Sequence, residues 1–211
     1  MGMDDNARFG RFTANELEYV EGGAAAWSIE AWYGSDVNRV HVRSEGERLD
    51  GHTAAADVEA LWSHALTPFW NSQIGLRQDF GTGPRRTWMA LGIEGLAPFW
   101  FDVDATLYLG ASGRTAFRIE AAYDLLLGQR LVLQPQVGLD AYGKADPERG
   151  IGAGLSSIDA ALRLRYEVRR EFAPYVGIEH SRTFGGSAEL ARATGGPVEG
   201  TRWVAGLRFW F

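Results

Sequence analysis

The sequence predicts an all-β protein: a transmembrane antiparallel up-and-down β-barrel, most simply of twelve strands, with both termini in the periplasm. Three observations lead to this prediction. They are segments of about ten residues in which apolar and polar side chains alternate, charged residues nearly all on one parity of these segments, and an aromatic last strand. A soluble small-ligand barrel would have the opposite arrangement, with its apolar side chains inside.

The last segment, residues 201–211, shows the alternation most directly. One of its faces carries Arg202 and Arg208. The other face is almost wholly apolar, with Trp203, Ala205, Leu207, Phe209 and Phe211. Since an exposed aromatic edge strand is a template for aggregation in water, such a strand needs lipid outside it and a closed barrel beside it. For this segment alone, the final strand of a soluble sandwich or lipocalin-like barrel is the alternative.

The chain divides into a lead-in and a barrel. Residues 1–12 are polar and are predicted to be a periplasmic lead-in, whereas residues 13–211 are predicted to form the outer-membrane barrel. Each barrel strand alternates apolar with polar residues and ends at Gly, Pro, Asn or Asp, the residues that favour turns. The twelve predicted strands are 17–20, 27–34, 39–45, 54–66, 69–80, 87–95, 99–109, 117–124, 130–142, 156–168, 172–184 and 201–211.

The predicted connections differ in length between the two ends of the barrel. Tight turns are expected after the second, fourth, sixth, eighth and tenth strands, as at 35–38 and 67–68. Long polar or Gly-rich loops are expected at 46–53, 143–155 and 185–200, all at the other end. Outer-membrane barrels have short periplasmic turns and longer external loops, so the termini are predicted to lie on the periplasmic side.

Composition narrows the classes of protein further. Aromatic residues make up 12% of the chain and include eight tryptophans, as is typical of aromatic girdles at two membrane interfaces. The absence of cysteine excludes disulfides and thiolate metal sites. A formal net charge of −6 argues against nucleic acid as a partner. No apolar stretch is long enough for a transmembrane helix and no signal peptide is visible, so the chain is expected to be a mature fragment.

The ionisable strand residues share the parity that faces the lumen. Because a charge facing lipid costs about 2–4 kcal/mol at the bilayer midplane, this pattern indicates a polar interior of mixed ion pairs over water. His180 and Arg182 have the outward parity and are expected near the external rim, or beside a bulge. The predicted lumen set is Glu30, Arg39, Arg43, Asp57, Glu59, Arg77, Asp79, Glu94, Asp102, Asp104, Arg118, Glu120, Asp124, Asp140, Asp159, Arg163, Arg165, Glu167, Glu179 and Arg208.

Residues that carry chemistry are sparse. The four histidines lack the paired spacing of a compact metal site, although His41 points into the predicted lumen. Met89 faces lipid by parity. An outer-membrane esterase is an alternative class, but Ser63 and His64 point to opposite faces and no Gly-x-Ser-x-Gly occurs. The sequence therefore predicts a barrel that is not an enzyme.

Several segments, in order and with matched spacing over nearly the whole chain, resemble the copper resistance protein B family. The strongest match is RLRYEVRREFAPY at 163–175, followed by 202–211. The other segments that carry the resemblance are 2–6, 32–39, 44–47, 84–88, 95–98, 123–127, 129–131 and 134–135.

The resemblance implies an outer-membrane barrel of Gram-negative bacteria that acts in copper resistance or homeostasis with periplasmic copper-binding proteins. It also implies a Met- and His-rich region before the barrel as the main copper-binding element, which this sequence lacks; Met3 is the one residue carried over from that edge. Candidate copper-contacting residues within the barrel are Glu30, His41, Glu94, Asp102 and Asp104.

The resemblance leaves two functions open for the barrel itself. Either the polar lumen holds or passes copper ions, or a plugged, passive barrel anchors the metal-binding region in outer-membrane lipid. The terminal aromatic residues Phe209 and Phe211 look like the signal read by the barrel-assembly machinery.

Overall fold

A computed structural model describes residues 7–211 of the chain. They form one closed antiparallel β-barrel, in which each strand pairs with its neighbours in the chain and the last strand pairs with the first. The predicted fold class is confirmed. The strands are β1 (Phe9–Val20), β2 (Ala24–Gly34), β3 (Asn38–Leu49), β4 (His52–Ala65), β5 (Trp70–Gly81), β6 (Arg86–Ala97), β7 (Phe101–Gly110), β8 (Thr115–Ala122), β9 (Leu125–Leu126), β10 (Leu131–Tyr142), β11 (Gly154–Tyr166), β12 (Phe172–Thr183) and β13 (Glu199–Trp210).

β8 and β9 together make one of the twelve barrel strands, since both pair with β10. The break between them faces Pro135 of β10, whose carbonyl accepts a hydrogen bond from the Tyr123 N–H at 3.1 Å. Proline has no N–H to return the second bond of this pair, so the ladder is interrupted there.

The first strand begins earlier than the sequence indicated. β1 starts at Phe9, inside the segment predicted as lead-in, because Phe9 already pairs with Gly34 of β2. A bulge between Ala14 and Glu16 shifts the register of the strand, and this shift hides its alternation from a period-two pattern. The predicted lead-in residues 1–6 lie outside the described part of the chain.

Two of the three predicted long loops were wrong in detail. β3 and β4 extend into the loop predicted at 46–53 and are joined only by Asp50 and Gly51, both with positive φ, as a two-residue hairpin turn requires. The loop predicted at 185–200 contains a helix, α1 (Gly185–Ala193), built largely from good helix formers. Among the described residues, no helix has the length and apolar character to cross a membrane.

The two rims of the barrel differ in the length of their connections. β1 begins and β13 ends at the rim that carries only short turns, the longest spanning residues 167–171. The opposite rim carries the two long connections, 143–153 and 184–198. Short turns mark the periplasmic side of outer-membrane barrels, so both ends of the barrel lie on that side.

The two faces of the wall separate as the charge pattern predicts. Leu76, Val176 and Trp203 are 54–64% exposed on the outside, where lipid covers them. Buried polar residues of the strands, such as His41, Glu59 and Arg163, lie inside. His180 and Arg182 lie near the end of β12, beside the connection 184–198, and β12 keeps an unshifted register with both neighbours.

The aromatic end of the chain closes the barrel. Phe211 and Phe12 exchange two backbone hydrogen bonds of 2.9 and 3.0 Å, and their rings stack with centroids 5.2 Å apart. Phe209 lies 6.3 Å from the same Phe12 ring. The terminal aromatic residues therefore pack across the seam where the first and last strands meet.

Candidate functional site

The interior of the barrel contains a central cavity of about 620 Å³ with a strong excess of acid. Thirteen carboxylates and five guanidinium groups line it. A second cavity, of about 670 Å³, lies at the periplasmic rim beside the turn at Thr67 and Pro68. Both cavities are lined by Asp102, Asp104 and Glu120, so they adjoin there. Low-dielectric walls focus the field of such an acid-rich cleft, which raises the local concentration of cations.

Arg43 of β3 holds together one group of acids in the lumen. Its guanidinium donates to Asp104 of β7 at 2.9 Å and to Glu94 of β6, and it lies 3.7 Å from Glu30 of β2. Glu30 in turn bonds Nδ1 of His41, whose Nε2 is buried without a hydrogen-bond partner among the described residues. This group joins two sides of the lumen, because β3 and β7 are four strands apart around the barrel.

Arg77 of β5 forms a second group that stays on the wall. It contacts Asp57 at 2.9 Å, Glu59 at 3.5 Å and Asp79 at 2.7 Å, all on β4 or β5. Tyr108 donates to Glu59 at 2.7 Å, and the Trp88 indole donates to Asp79 at 2.8 Å. These aromatic rings cover the ion pairs on the lumen side.

Arg118 of β8 contacts acids on both sides of the cavity. Its Nε donates to Asp140 of the adjacent β10 at 3.0 Å. Its Nη1 lies 3.3 Å from Glu45 of β3. Glu120, two residues further along β8, has no ion pair within residues 7–211 and lines both cavities.

Three further arginines of the barrel wall, Arg163, Arg165 and Arg202, each pair with one or two acids. Arg163 contacts Glu16 at 3.0 Å and Glu18 at 2.7 Å. Arg165 contacts Asp124 at 2.7 Å. Arg202 contacts Glu47 at 2.9 Å and Glu179 at 3.4 Å, nearer the external rim.

The residues proposed from the sequence as copper contacts are distributed along the lumen. Glu30, His41, Glu94 and Asp104 belong to the group around Arg43, and Asp102 lines both cavities. Met3 lies outside the described residues. Within residues 7–211, no three His, Asp or Glu side chains converge in a way that would hold a metal ion. Arginine side chains already pair with several of these carboxylates, Glu94 and Asp104 among them.

Two further residues of the predicted charge network lie towards its edges. Asp159 lines the central cavity and accepts a hydrogen bond from Ser157 at 3.1 Å. Glu167 was predicted to lie in a strand but follows the end of β11, in the turn 167–171.

Sequence reasoning missed several acids of the lumen. Glu45 and Glu47 continue the parity of His41 and Arg43. Glu45 is the last residue of the predicted strand 39–45 and was left out of the lumen set, whereas Glu47 lies in the segment predicted to be a loop. Glu16 and Glu18 are hidden by the bulge in β1. The acids of the central cavity that were missed are Glu16, Glu18, Glu45 and Glu47. Arg202, which the alternation of the last strand placed on its polar face with Arg208, also lines this cavity.

The Ser63 and His64 side chains do not form a catalytic pair. Ser63 is 2% exposed on the lumen side. His64 lies on the other face, where it bonds Asn38 at 3.0 Å and stacks on Trp62 with centroids 5.7 Å apart.

The external rim is partly covered by its two long connections. Asp146 of the connection 143–153 accepts two hydrogen bonds from Arg86, at 2.7 and 3.0 Å, and lies 3.5 Å from Arg114. Ser187 of α1 accepts a hydrogen bond from the Gly152 N–H at 2.8 Å. The two connections are therefore tied to each other and to the β5–β8 side of the barrel.

The closed barrel, its apolar outer face and its charged lumen define an outer-membrane β-barrel protein. Solved structures with this fold include the NanC porin (TM-score 0.59, 12% identity, covering 95% of this chain and 99% of that one) and the KdgM porin (TM-score 0.57, 13% identity, covering 95% and 99%). At these identities the likeness concerns the fold alone.

A family can be assigned from sequence. Residues 8–211 match the family described as "Copper resistance protein B precursor (CopB)". The chain belongs to this copper resistance protein B family, and it is a protein of the bacterial outer membrane.

Two relatives carry the same description. A "Copper resistance protein B homolog" of Pseudomonas syringae pv. tomato is 47% identical over 212 residues, covering 99% of this chain and 72% of the relative. A "Copper resistance protein B" of Escherichia coli is 41% identical over 186 residues, covering 88% of this chain and 63% of the relative. Both relatives are thus longer than this chain.

Proposed function

We propose that the barrel contributes to copper resistance by admitting copper ions into its lumen and passing them across the outer membrane. Membership of the copper resistance protein B family supports a role in copper resistance at this membrane. The observation that carries the finer proposal is the excess of carboxylates over guanidinium groups in the central cavity, thirteen to five. The family and the porin-like fold favour a role without enzymatic catalysis.

The proposed path begins at the periplasmic rim. The rim cavity leads to Asp102, Asp104 and Glu120, where it adjoins the central cavity. A conducting lumen must attract an ion without holding it tightly, and carboxylates spread along a wall satisfy this requirement better than a closed ligand cage. Glu30, His41, Glu94, Asp102 and Asp104 are the proposed contacts for a passing ion.

The proposed partners follow from the family and the location. Periplasmic copper-binding proteins would exchange ions with the short-turn rim, and outer-membrane lipid surrounds the wall. The relatives extend beyond the region matched here, so copper gathering by additional sequence is proposed for the whole protein only. We also propose that Phe209 and Phe211 serve as the assembly signal.

The experiment that tests passage is copper uptake by liposomes containing the barrel. We expect faster uptake than by empty liposomes, and slower uptake when Asp102 and Glu120, both without ion pairs in the described chain, are changed to Asn and Gln. Glu199→Gln at the external rim removes the same kind of charge outside the lumen and serves as the control. Uptake no faster than by empty liposomes would overturn the proposal.

The second candidate is a plugged barrel that anchors a metal-binding region, and the ion pairs that span the lumen favour it. Neutralising Arg163 and Arg165 distinguishes it from a conduit that is already open. Both side chains are buried and paired with acids of other strands. If the wild-type barrel does not conduct and Arg163→Gln with Arg165→Gln opens it, the plugged anchor is favoured.

A further inference from the structure

Two arginine bridges cross the lumen in opposite directions. Going round the barrel, β3 and β8 are five strands apart by one route and seven by the other, so they face each other across the interior. Arg118 of β8 reaches Glu45 of β3 at 3.3 Å. In return, Arg43 of β3 reaches Asp104 of β7, the strand beside β8, at 2.9 Å.

One bridge lies where the two cavities adjoin, and the other lies further into the central cavity. Asp104 lines the rim cavity and the central cavity, and Arg43, Glu45 and Arg118 line the central one. An ion entering from the periplasmic rim therefore meets these four side chains before it reaches the carboxylates nearer the external rim, such as Glu47 and Glu179.

The bridging side chains remain partly exposed to the cavity. Arg43 is 18% exposed and Arg118 23%, and their partners Asp104 and Glu45 are more exposed still. Contact with the cavity weakens these ion pairs relative to fully buried ones, so bridges of this kind open more readily. The carboxylates they occupy are also the groups that a cation in the lumen would contact.

We propose that the Arg43–Asp104 and Arg118–Glu45 pairs, which together we name the crossed latch, set the conductance of the lumen. This inference rests on the proposed passage of cations. The latch narrows the lumen at mid-depth, and a cation competes with the two guanidinium groups for Asp104 and Glu45. When the arginines turn towards their remaining partners, Glu94 for Arg43 and Asp140 for Arg118, the path between the cavities widens.

Two substitutions break the same bridge while changing the lumen charge in opposite directions. Arg118→Gln removes a positive group, whereas Glu45→Gln removes a negative one. We expect both to raise the K⁺ conductance of single barrels in planar bilayers severalfold, because both release the constriction. Cation selectivity should rise in the first variant and fall in the second, since it follows the sign of the local field.

Matched controls lie at the external rim. Arg182 and Glu199 form an ion pair 3.5 Å long with both side chains more than half exposed. Arg182→Gln and Glu199→Gln make the same charge changes outside the lumen and are expected to leave conductance at the wild-type value. Arg118→Lys and Glu45→Asp keep the charge but shorten one side chain of the pair, so the two charged groups no longer meet across the lumen. Both should also raise conductance, which covers the case in which a neutral variant does not fold.

The conductance measurements distinguish a failure of the crossed latch from a failure of the proposed copper passage. A rise in conductance with Arg118→Gln alone indicates a simple charge effect and overturns the latch, as does no rise in any variant. K⁺ conductance does not require copper. A latch that opens as expected in barrels that fail to take up copper would therefore count against the proposed copper passage only.

Discussion

Arg77 and Arg118 are the same residue type on the same inner wall, yet the structure uses them differently. Arg77 is 11% exposed and its three acids all belong to β4 and β5, the strands that its own side chain lies against. Arg118 is 23% exposed and reaches from β8 to β3 across the cavity. One arginine stabilises the wall, and the other spans the path.

The difference comes from what covers each guanidinium. Tyr108 and Trp88 bond the acids around Arg77 and exclude water from that side, and the Arg77 guanidinium lies 4.8 Å from the Tyr108 ring centroid. No ring is stacked on Arg118 within the described chain, and its partner Glu45 lies in the cavity. Burial makes an ion pair costly to break, whereas water makes it cheap to exchange.

Removal of Arg77 should give the largest loss of stability. Arg77→Met leaves Asp57, Glu59 and Asp79 facing one another under the aromatic cover, so we expect a loss of about 3–5 kcal/mol in the free energy of unfolding. Urea unfolding of the barrel in lipid vesicles, followed by tryptophan fluorescence, measures it.

The matched variant is Arg118→Met on the opposite wall. Because Glu45 and Asp140 keep contact with the cavity after the change, we expect a clearly smaller loss than for Arg77→Met. Equal losses of unfolding free energy in the two variants would contradict the different roles assigned to Arg77 and Arg118.

The inner and outer faces of the wall can be compared at Arg77 and its neighbour Leu76. Leu76 precedes Arg77 on β5, points the other way, and is 59% exposed on the lipid side. We expect Leu76→Arg to destabilise the barrel by about 2–4 kcal/mol, because the charge would face hydrocarbon. The same unfolding assay measures this loss, with Leu76→Met as the control of similar size. A Leu76→Arg barrel as stable as Leu76→Met would contradict the assignment of this face to lipid.

Much of this could be predicted from alternation alone. The sequence predicts that Leu76 points outward and Arg77 inward. It also predicts the closing strand with Trp203 and Leu207, and the position of His180 near the rim. These predictions succeed because a strand in a barrel wall has only two environments, and each selects its own side chains.

The pairing of charges could not be predicted in this way. Parity shows that Arg77 and Arg118 both point inward, but it does not show which acid each one reaches. That depends on barrel curvature and on strands distant in the chain, since Glu45 and Arg118 are 73 residues apart. The bulge after Ala14 and the register shift between Glu47 and Arg48, beside the hairpin at Asp50, were not predicted either, because each alters the period on which the prediction depended.

The ion pair between Arg86 and Asp146 lies outside the membrane, and its loss should have the smallest effect on stability. The hydrogen bond from Arg86 holds the pKa of Asp146 below its ordinary value of 3.8. The stability that this carboxylate gives to the connection 143–153 is therefore present above about pH 4 and is lost as the pH falls through the lowered pKa. We expect amide hydrogen exchange in this connection to accelerate only in that acidic range.

Asp146→Asn provides the comparison for this acid dependence. Its exchange should be faster than wild type at neutral pH and should gain no further local acceleration in acid beyond the intrinsic pH dependence of exchange. A wild-type connection that opens already near neutral pH would contradict the role assigned to Asp146.

The account depends most on the claim that the acid-rich lumen favours cations. The reversal potential of the wild-type barrel in a planar bilayer under a KCl gradient measures this preference directly. An excess of carboxylates in the cavity predicts a potential of the sign set by K⁺. A potential of the sign set by Cl⁻ would contradict the account, since the five lining arginines would then dominate the lumen.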